Sequence, residues 1–386
     1  MIKKIIWVII GLSLKFISHI FPVNRNKWVF GANDGNSYAD NAKYFFEYTY
    51  EEHKDINCIW LTRNREVREL LRSKGLNVYM NFSLVGIYHA LTAGVVLFCT
   101  MRSDILFIYP REQRRIINLW HGMPMKKIVH DYEPHSVLQQ SYRAKLWDWL
   151  VVGFGHHNVD LIPATSECFA TILKSAFRNE NVEILGQPRT DVFFKWDAKE
   201  IKKNLGFMED DIVITYMPTH RAYGKGLQNP KIFKGDSKAI DFFKKNNIKI
   251  IWKFHKNMVL NYREDKEGEL SEVFIDMTKE KVDPQELLFV SDILITDYSS
   301  CYIDYMLLNR PIVFYLYDDY ETNDNELYFS PQEIKGAYLA FNESELLTVL
   351  EKSLTESNGN IEVSSFHLHN DNNSCKRIFE FLQKQC

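Results

Sequence analysis

DILITDYSSCYIDYMLLNRPIVFYLY, the stretch from Asp292 to Tyr317, decides the fold. A β-branched apolar run, Ile293 to Thr296, stops at Asp297-Tyr298-Ser299-Ser300. An apolar segment of helical length, Cys301 to Leu308, follows, and Asn309-Arg310-Pro311 then leads into a second strand-like run, Ile312 to Tyr317. Strand, tight loop, helix and strand form the repeating unit of a parallel α/β sheet, in which ligands sit beyond the carboxyl ends of the strands. Ser299 and Ser300 at the mouth of that loop are expected to offer hydroxyls and helix-starting N–H groups to a phosphate. The plainer alternative is that they only cap a helix.

The chain has 386 residues, too many for one small core and suited to two domains of ordinary size. Its 46% hydrophobic and 25% charged content are those of a globular protein, and the net charge of −3 gives no general attraction to nucleic acid. Six cysteines (Cys58, Cys99, Cys168, Cys301, Cys375, Cys386) lack the paired spacing of a zinc site or a disulfide framework, so no metal site is expected and a reducing, cytoplasmic setting fits. At the N-terminus, Lys3-Lys4 precede an apolar run, Ile5 to Phe21, that has no small-residue cleavage site and is interrupted by Lys15 and His19. A bilayer span needs about 20 apolar residues. The run therefore reads as an amphipathic helix lying in a membrane surface, with Trp7, Phe16 and Phe21 as anchors. A helix packed on the protein body and a marginal span are the competing readings.

From Lys27 onward the strand and helix patterns alternate. Lys27 to Phe30 enters the glycine-bearing loop Gly31 to Asn36, a helix is expected from about Asp40 to Glu51, and strands follow at Cys58 to Leu61, Val95 to Cys99 and Ile116 to Trp120. Amphipathic segments span Val137 to Val151 and Ser166 to Phe177. The lysine-rich stretch Lys195 to Asn204 reads as a hinge, after which the pattern restarts at Asp211 to Tyr216 and Ile248 to Phe254. The expected organisation is a membrane-associating helix over 1–22, a first Rossmann-like domain over 23–195 and a second over 196–386, the two facing across a cleft. The last helix, Cys375 to Gln385, can dock on either domain.

Candidate chemistry gathers at strand ends. His121, held between Trp120 and Gly122-Met123-Pro124 where a strand turns into a helix, is placed to accept a proton, since a free imidazole titrates near 6.5. Lys126 and Lys127, with Arg111, Arg114 and Arg115 upstream, give the first domain a basic neighbourhood suited to an anionic acceptor or to plain solvation. The second domain supplies His220 and Arg221 after one strand and Lys253 and His255 after another, donors suited to a diphosphate. Gly186-Gln187-Pro188-Arg189-Thr190-Asp191 is a turn carrying an arginine and a carboxylate, read as an acceptor element or a structural hinge. No G-x-x-x-x-G-K-[S/T], G-x-G-x-x-G, H-E-x-x-H or G-x-S-x-G motif occurs, which disfavours P-loop, nicotinamide, zincin and serine-hydrolase chemistry.

Five segments in this order carry a family resemblance: Asn118 to Lys127, Gly186 to Asp191, Met217-Pro218-Thr219-His220-Arg221, Lys253-Phe254-His255, and Ile295 to Ser300 with Asp304. Together they make the chain, over roughly Trp28 to Tyr320, resemble the CDP-glycerol:poly(glycerophosphate) glycerophosphotransferase family, the teichoic-acid primases and polymerases and their capsule-building relatives. The resemblance implies a GT-B fold, a C-terminal domain holding a CDP-activated polyol phosphate (CDP-glycerol or CDP-ribitol) and an N-terminal domain offering the acceptor. It implies that His121 is the general base and His255 a second essential histidine. The diphosphate contacts would fall to Ser299 and Ser300, with Arg221, His220, Lys253 and Asp297 beside them. Gly122, Lys126, Lys127, Arg189, Asp191 and Asp304 are acceptor-side or structural candidates. The resemblance further implies a peripheral enzyme on the cytoplasmic face of the bacterial membrane, acting at an anionic surface on a lipid-linked polymer or primer; whether Mg2+ helps the diphosphate leave stays open. Many relatives carry an aromatic residue where His220 stands and a proline where Lys256 stands. A nucleotide-sugar glycosyltransferase of the same fold and a non-catalytic polymer-binding module are the alternatives.

Overall fold

The computed structural model of the chain describes residues 13, 16, 17, 19–106, 114–132, 159–219, 232–233, 236–254, 272–318, 327–355 and 361–384. It divides into two compact units, one of residues 1–123, 128–192 and 365–386, the other of 124–127 and 193–364.

In the first unit, short β-branched and aromatic runs bounded by polar turns form strands β1 (Asn24–Phe30), β2 (Asn57–Thr62), β3 (Val78–Met80), β4 (Ala93–Phe98) and β5 (Arg115–Asn118). Helices α1 (Asp40–Glu52), α2 (Arg65–Ser73) and α3 (Leu84–Thr92) connect the first four. Their starts are legible: Asn64 and Ser83 accept from the N–H groups of Glu66 and Gly86, satisfying donors that a helix leaves unpaired. The strands form a parallel sheet in the order β3-β2-β1-β4-β5. Every residue of β4 is buried, as expected where helices cover both faces. A parallel pair, β6 (Ile162–Ala164) and β7 (Val182–Ile184), flanks helix α4 (Glu167–Phe177) and meets β5 through the bridge Ile117 to Leu161.

The second unit repeats the plan with α5 (Ala198–Asn204), β8 (Ile212–Met217), α6 (Ser237–Lys245), β9 (Ile248–Trp252), β10 (Phe274–Asp276), α7 (Pro284–Val290), β11 (Ile293–Thr296), α8 (Cys301–Tyr305), β12 (Ile312–Tyr315), β13 (Tyr338–Ala340) and α9 (Glu343–Thr355). Its parallel sheet runs β10-β9-β8-β11-β12-β13. Counted within each unit, both sheets follow the Rossmann order 3-2-1-4-5, which reverses direction between the first and fourth strands. In folds of this order ligands bind at the reversal, which lies beyond β1 and β4 in one unit and beyond β8 and β11 in the other.

Two expectations change. Lys195 to Asn204 is not a plain hinge: Asp197 accepts from the Lys199 N–H and starts α5, whose last turn carries Lys202 and Lys203, a favourable sign against the helix dipole. The closing helix α10 (Ser374–Lys384) does not belong with 196–386 but with the first unit. Its Cys375, Ile378, Phe379 and Leu382 join the first core, and Phe379 lies 5.4 Å from the Trp28 ring and stacks on His53 at 3.5 Å. Asp191 fixes its start by accepting from the N–H groups of Ser374 (3.0 Å) and Cys375 (2.8 Å).

Of the expected surface helix Ile5 to Phe21 only a few residues are described, with Phe16 78% and Ile20 76% exposed. Among the described residues no helix is long and apolar enough to cross a membrane. The segment Val137 to Val151 lies outside them.

Candidate active site

Beyond β5 the backbone turns sharply at Trp120-His121-Gly122. Trp120 adopts φ 54, a left-handed conformation rare for a bulky side chain, and Gly122 adopts φ 131, a region that side chains avoid. The turn is pinned from several directions. Asn118 Oδ1 accepts from the Trp120 N–H at 3.0 Å, and Asn41 at the start of α1 donates to the carbonyls of Leu119 (3.2 Å) and Trp120 (2.9 Å). The Trp120 ring meets Phe177 edge to face at 4.8 Å. His121 is thereby projected as an exposed side chain from an otherwise buried turn.

The imidazole packs on Trp120 with ring centres 4.1 Å apart, and its Nδ1 lies 3.3 Å from the carbonyl oxygen of Cys99. A carbonyl can only accept, so this contact selects the tautomer with hydrogen on Nδ1 and leaves Nε2 as the basic nitrogen. Although one edge of the ring is open to solvent, the protein packed around its base displaces water and lowers the basicity of His121 below that of a free imidazole; the Asp40 carboxylate and the Cys99 carbonyl oppose this, and the Arg189 guanidinium adds to it. The net effect is toward the neutral imidazole, the form a base needs.

Arg189, from the turn after β7, donates through Nη1 to the His121 carbonyl (2.7 Å) and to Asp40 Oδ1 (3.2 Å), while Asn41 Oδ1 accepts its backbone N–H at 3.0 Å. A Cβ on Gly122 would stand 2.5 Å from Arg189 Nη2, so the glycine is what lets the guanidinium lie over the turn. The segment Gly186 to Asp191 thus does two things: Arg189 grips the histidine turn and Asp191 caps α10. Asp40 and Asn41 carried no motif signal, because their partner stands far along the chain.

The sheet reversal of this unit is tied together by one carboxylate. Asp104 accepts from the N–H of Asp34 in the loop after β1 and from those of Cys99 and Thr100 after β4. Burial raises its pKa to about 6 despite these donors. The second unit uses the same device. Asp297, fully buried after β11, accepts from the N–H of Thr219 after β8 (2.7 Å) and from that of Tyr298 (2.6 Å). Oδ1 of Asp297 therefore braces the loops that follow β8 and β11.

Ser299 and Ser300 sit at that reversal, half-buried. Ser300 occupies the capping position of α8 but makes no side-chain capping bond, so the helix-cap reading of this pair is not realised. Lys253 Nζ donates to the carbonyls of Met277 and Glu280, each at 2.8 Å, and braces the loop after β10. Asp304 is buried against Gln285, whose Nε2 donates to it at 2.8 Å.

The basic neighbourhood expected in the first unit disperses. Arg114 is buried and donates to the Leu91 carbonyl, Arg115 faces Asp160 at 3.8 Å, and residues 124–127 group with the second unit, where Lys126 bridges Leu327. His220, Arg221, His255 and Arg111 lie outside the described residues. Among the described residues no group of three or more His, Cys, Asp or Glu side chains is arranged to hold a metal ion.

Two Rossmann-ordered units, one ending in a histidine with a fixed tautomer and the other in a pair of half-buried serines at its sheet reversal, make an α/β protein of the GT-B-like class. The fold matches that of the wall teichoic acid polymerase TagF with a TM-score of 0.79 at 19% identity, covering 100% of this chain and 97% of that one. Residues 13–384 match the CDP-Glycerol:Poly(glycerophosphate) glycerophosphotransferase family, and the chain belongs to it. It is 29% identical over 345 residues to a teichoic acid poly(glycerol phosphate) polymerase of Bacillus spizizenii, covering 84% of this chain and 80% of the relative. It is 27% identical over 359 residues to a teichoic acid glycerol-phosphate transferase of Staphylococcus aureus, covering 88% and 84%. Membership makes the chain an enzyme of the glycerophosphotransferase type.

Proposed function

We propose that this enzyme transfers glycerol phosphate from CDP-glycerol to a hydroxyl of a membrane-linked teichoic-acid or capsule polymer, or of its primer, and releases CMP. The observation that carries the reading is the His121 geometry: a histidine whose Nδ1 is held by the Cys99 carbonyl and whose Nε2 is left to take a proton. Nε2 accepts the proton of the acceptor hydroxyl as its oxygen bonds to the β-phosphorus of the donor. The bond from that phosphorus to the bridging oxygen breaks, and CMP departs with the electron pair. Charge developing on the diphosphate is met by Ser299 and Ser300, and by Arg221 and the second family histidine, His255, donors of the kind that stabilise charge where it appears.

Glycerol is preferred over ribitol on the family's own description and on the two relatives above, both named for glycerol phosphate. The membrane reading is supported by the exposed Phe16 and Ile20 in a segment whose sequence also carries Lys3, Lys4 and Lys15, a composition that favours an anionic lipid surface. The test is CMP release with CDP-glycerol, CDP-ribitol and a UDP-sugar offered separately in the presence of bacterial membrane acceptor. Release from CDP-glycerol supports the reading. Release from CDP-ribitol alone changes the polyol, and product from the UDP-sugar alone replaces the reading with a glycosyl transfer.

A further inference from the structure

Asp40 and Arg189 surround the histidine turn without a place in the chemistry just described. We propose that they form an ion pair that positions His121 for proton transfer, Arg189 holding the His121 carbonyl and Asp40 holding Arg189. The proposal rests on His121 being the base.

Geometry carries it. A single nitrogen, Arg189 Nη1, serves the His121 carbonyl at 2.7 Å and Asp40 Oδ1 at 3.2 Å, and Nη2 covers the Gly122 α-carbon. The side chains are 10% and 23% exposed, so solvent screens this pair less than an ordinary surface pair. Asp40 itself has φ 59, so two non-glycine residues in left-handed conformation, Asp40 and Trp120, meet at this one turn. Such conformations cost about 1–3 kcal/mol each and persist only where their surroundings over-determine them. The neighbouring jobs are already filled: Asn41 fixes the Arg189 backbone and the carbonyls of Leu119 and Trp120, and Asp191 fixes α10. The guanidinium is left to bridge Asp40 and the His121 carbonyl.

The pair also balances charge at the ring. When His121 takes a proton, Asp40 from α1 attracts the imidazolium and Arg189 repels it. Among the described residues these are the charged groups acting on it directly. The thiol of Cys99, whose carbonyl meets the ring, is kept protonated by burial, and Asp104 reaches the ring only through the Cys99 peptide. Removing one member of the pair leaves the other unopposed, and the two removals act in opposite directions.

The test is the pH dependence of CMP release by the full chain carrying Asp40→Asn, Arg189→Met or both, beside His121→Asn. Each single variant is expected to lose roughly 10- to 100-fold in kcat, the cost of a misplaced catalytic group, with donor KM little changed. The acid limb of kcat/KM should move to lower pH in Asp40→Asn and to higher pH in Arg189→Met, and return toward the parent in the double variant, which stays slow. Arg189→Lys, which keeps the charge but cannot hold both acceptors, should lower kcat without moving the limb. It remains informative if a neutralising variant fails to fold. Acid limbs that coincide in all variants, or parental kcat in Arg189→Lys, would overturn the positioning role. Parental turnover in His121→Asn would instead overturn the base assignment beneath it, so the two failures are distinct.

Discussion

Gly122→Ala puts the histidine turn to its most direct test. The residue has φ 131, and an added Cβ would lie 2.5 Å from Arg189 Nη2 and 3.3 Å from its Cζ. Two responses are open. If the backbone holds, alanine carries a strain of about 1–3 kcal/mol and pushes the guanidinium off the His121 carbonyl and Asp40, giving up charge-assisted hydrogen bonds of about 1.5–3 kcal/mol. If the backbone relaxes, His121 moves with it, and a displacement of about 1 Å costs on the order of 100-fold in rate. Either way kcat should fall by roughly 100-fold. If the backbone holds, the melting transition of the first unit should drop by roughly 5–20 °C, since a domain of that size shifts about 2–4 °C per kcal/mol. Donor binding, assigned to the second unit, should persist. The assay pairs steady-state CMP release with calorimetric titration of CDP-glycerol and a thermal melt. An alanine variant with parental kcat would refute the claim that this turn sets the base.

Three further outcomes are expected. Asp191→Ala removes the acceptor for the Ser374 and Cys375 N–H groups and should destabilise the first unit by about 1–3 kcal/mol, detectable as earlier hydrogen exchange of α10 in a denaturant series. Burial raises Asp104 from 3.8 to about 6, so the fold favours its protonated form. Its contribution is full below the unfolded value and is lost as pH rises through about 6. It amounts to about 3 kcal/mol, and chemical denaturation should show a slope between pH 4 and 6 that Asp104→Asn flattens. Deleting Met1 to Phe21 should release the protein from anionic vesicles while activity on a soluble acceptor analogue survives; a truncated chain that still sediments with the vesicles would count against the surface helix.

Much of the fold could be read from short runs. Ile293 to Thr296 and Ile312 to Tyr315 are strands because β-branched and aromatic residues fill a sheet buried on both faces, and the turn between them lies at the sheet reversal. The helical run was legible too, although its second half tightens to a 3-10 turn, Met306–Leu308, before Asn309 at φ 50. His121 was legible because glycine and proline beside a strand end announce a tight turn. What did not show was pairing across distance. Lys253 looked like a free cation, yet it donates to the carbonyls of Met277 and Glu280; Arg114 looked like part of a basic face, yet it is buried on Leu91. The bracing role of Asp297 did not show either, because which backbone N–H a carboxylate meets depends on the sheet order. The Asp197 cap ahead of Lys202 and Lys203 was an available helix signal that the abundance of lysine obscured. The return of α10 to the first unit depends on Asp191, 183 positions away in sequence, and no local pattern carries that.

Transfer of radiolabelled glycerol phosphate from CDP-glycerol to membrane acceptor, measured for the parent chain and for His121→Ala, tests the central claim most directly. The account predicts label in polymer and one CMP released per unit added by the parent. It predicts loss of both in the variant, with CDP-glycerol still bound. Incorporation by His121→Ala at a rate near that of the parent would contradict it.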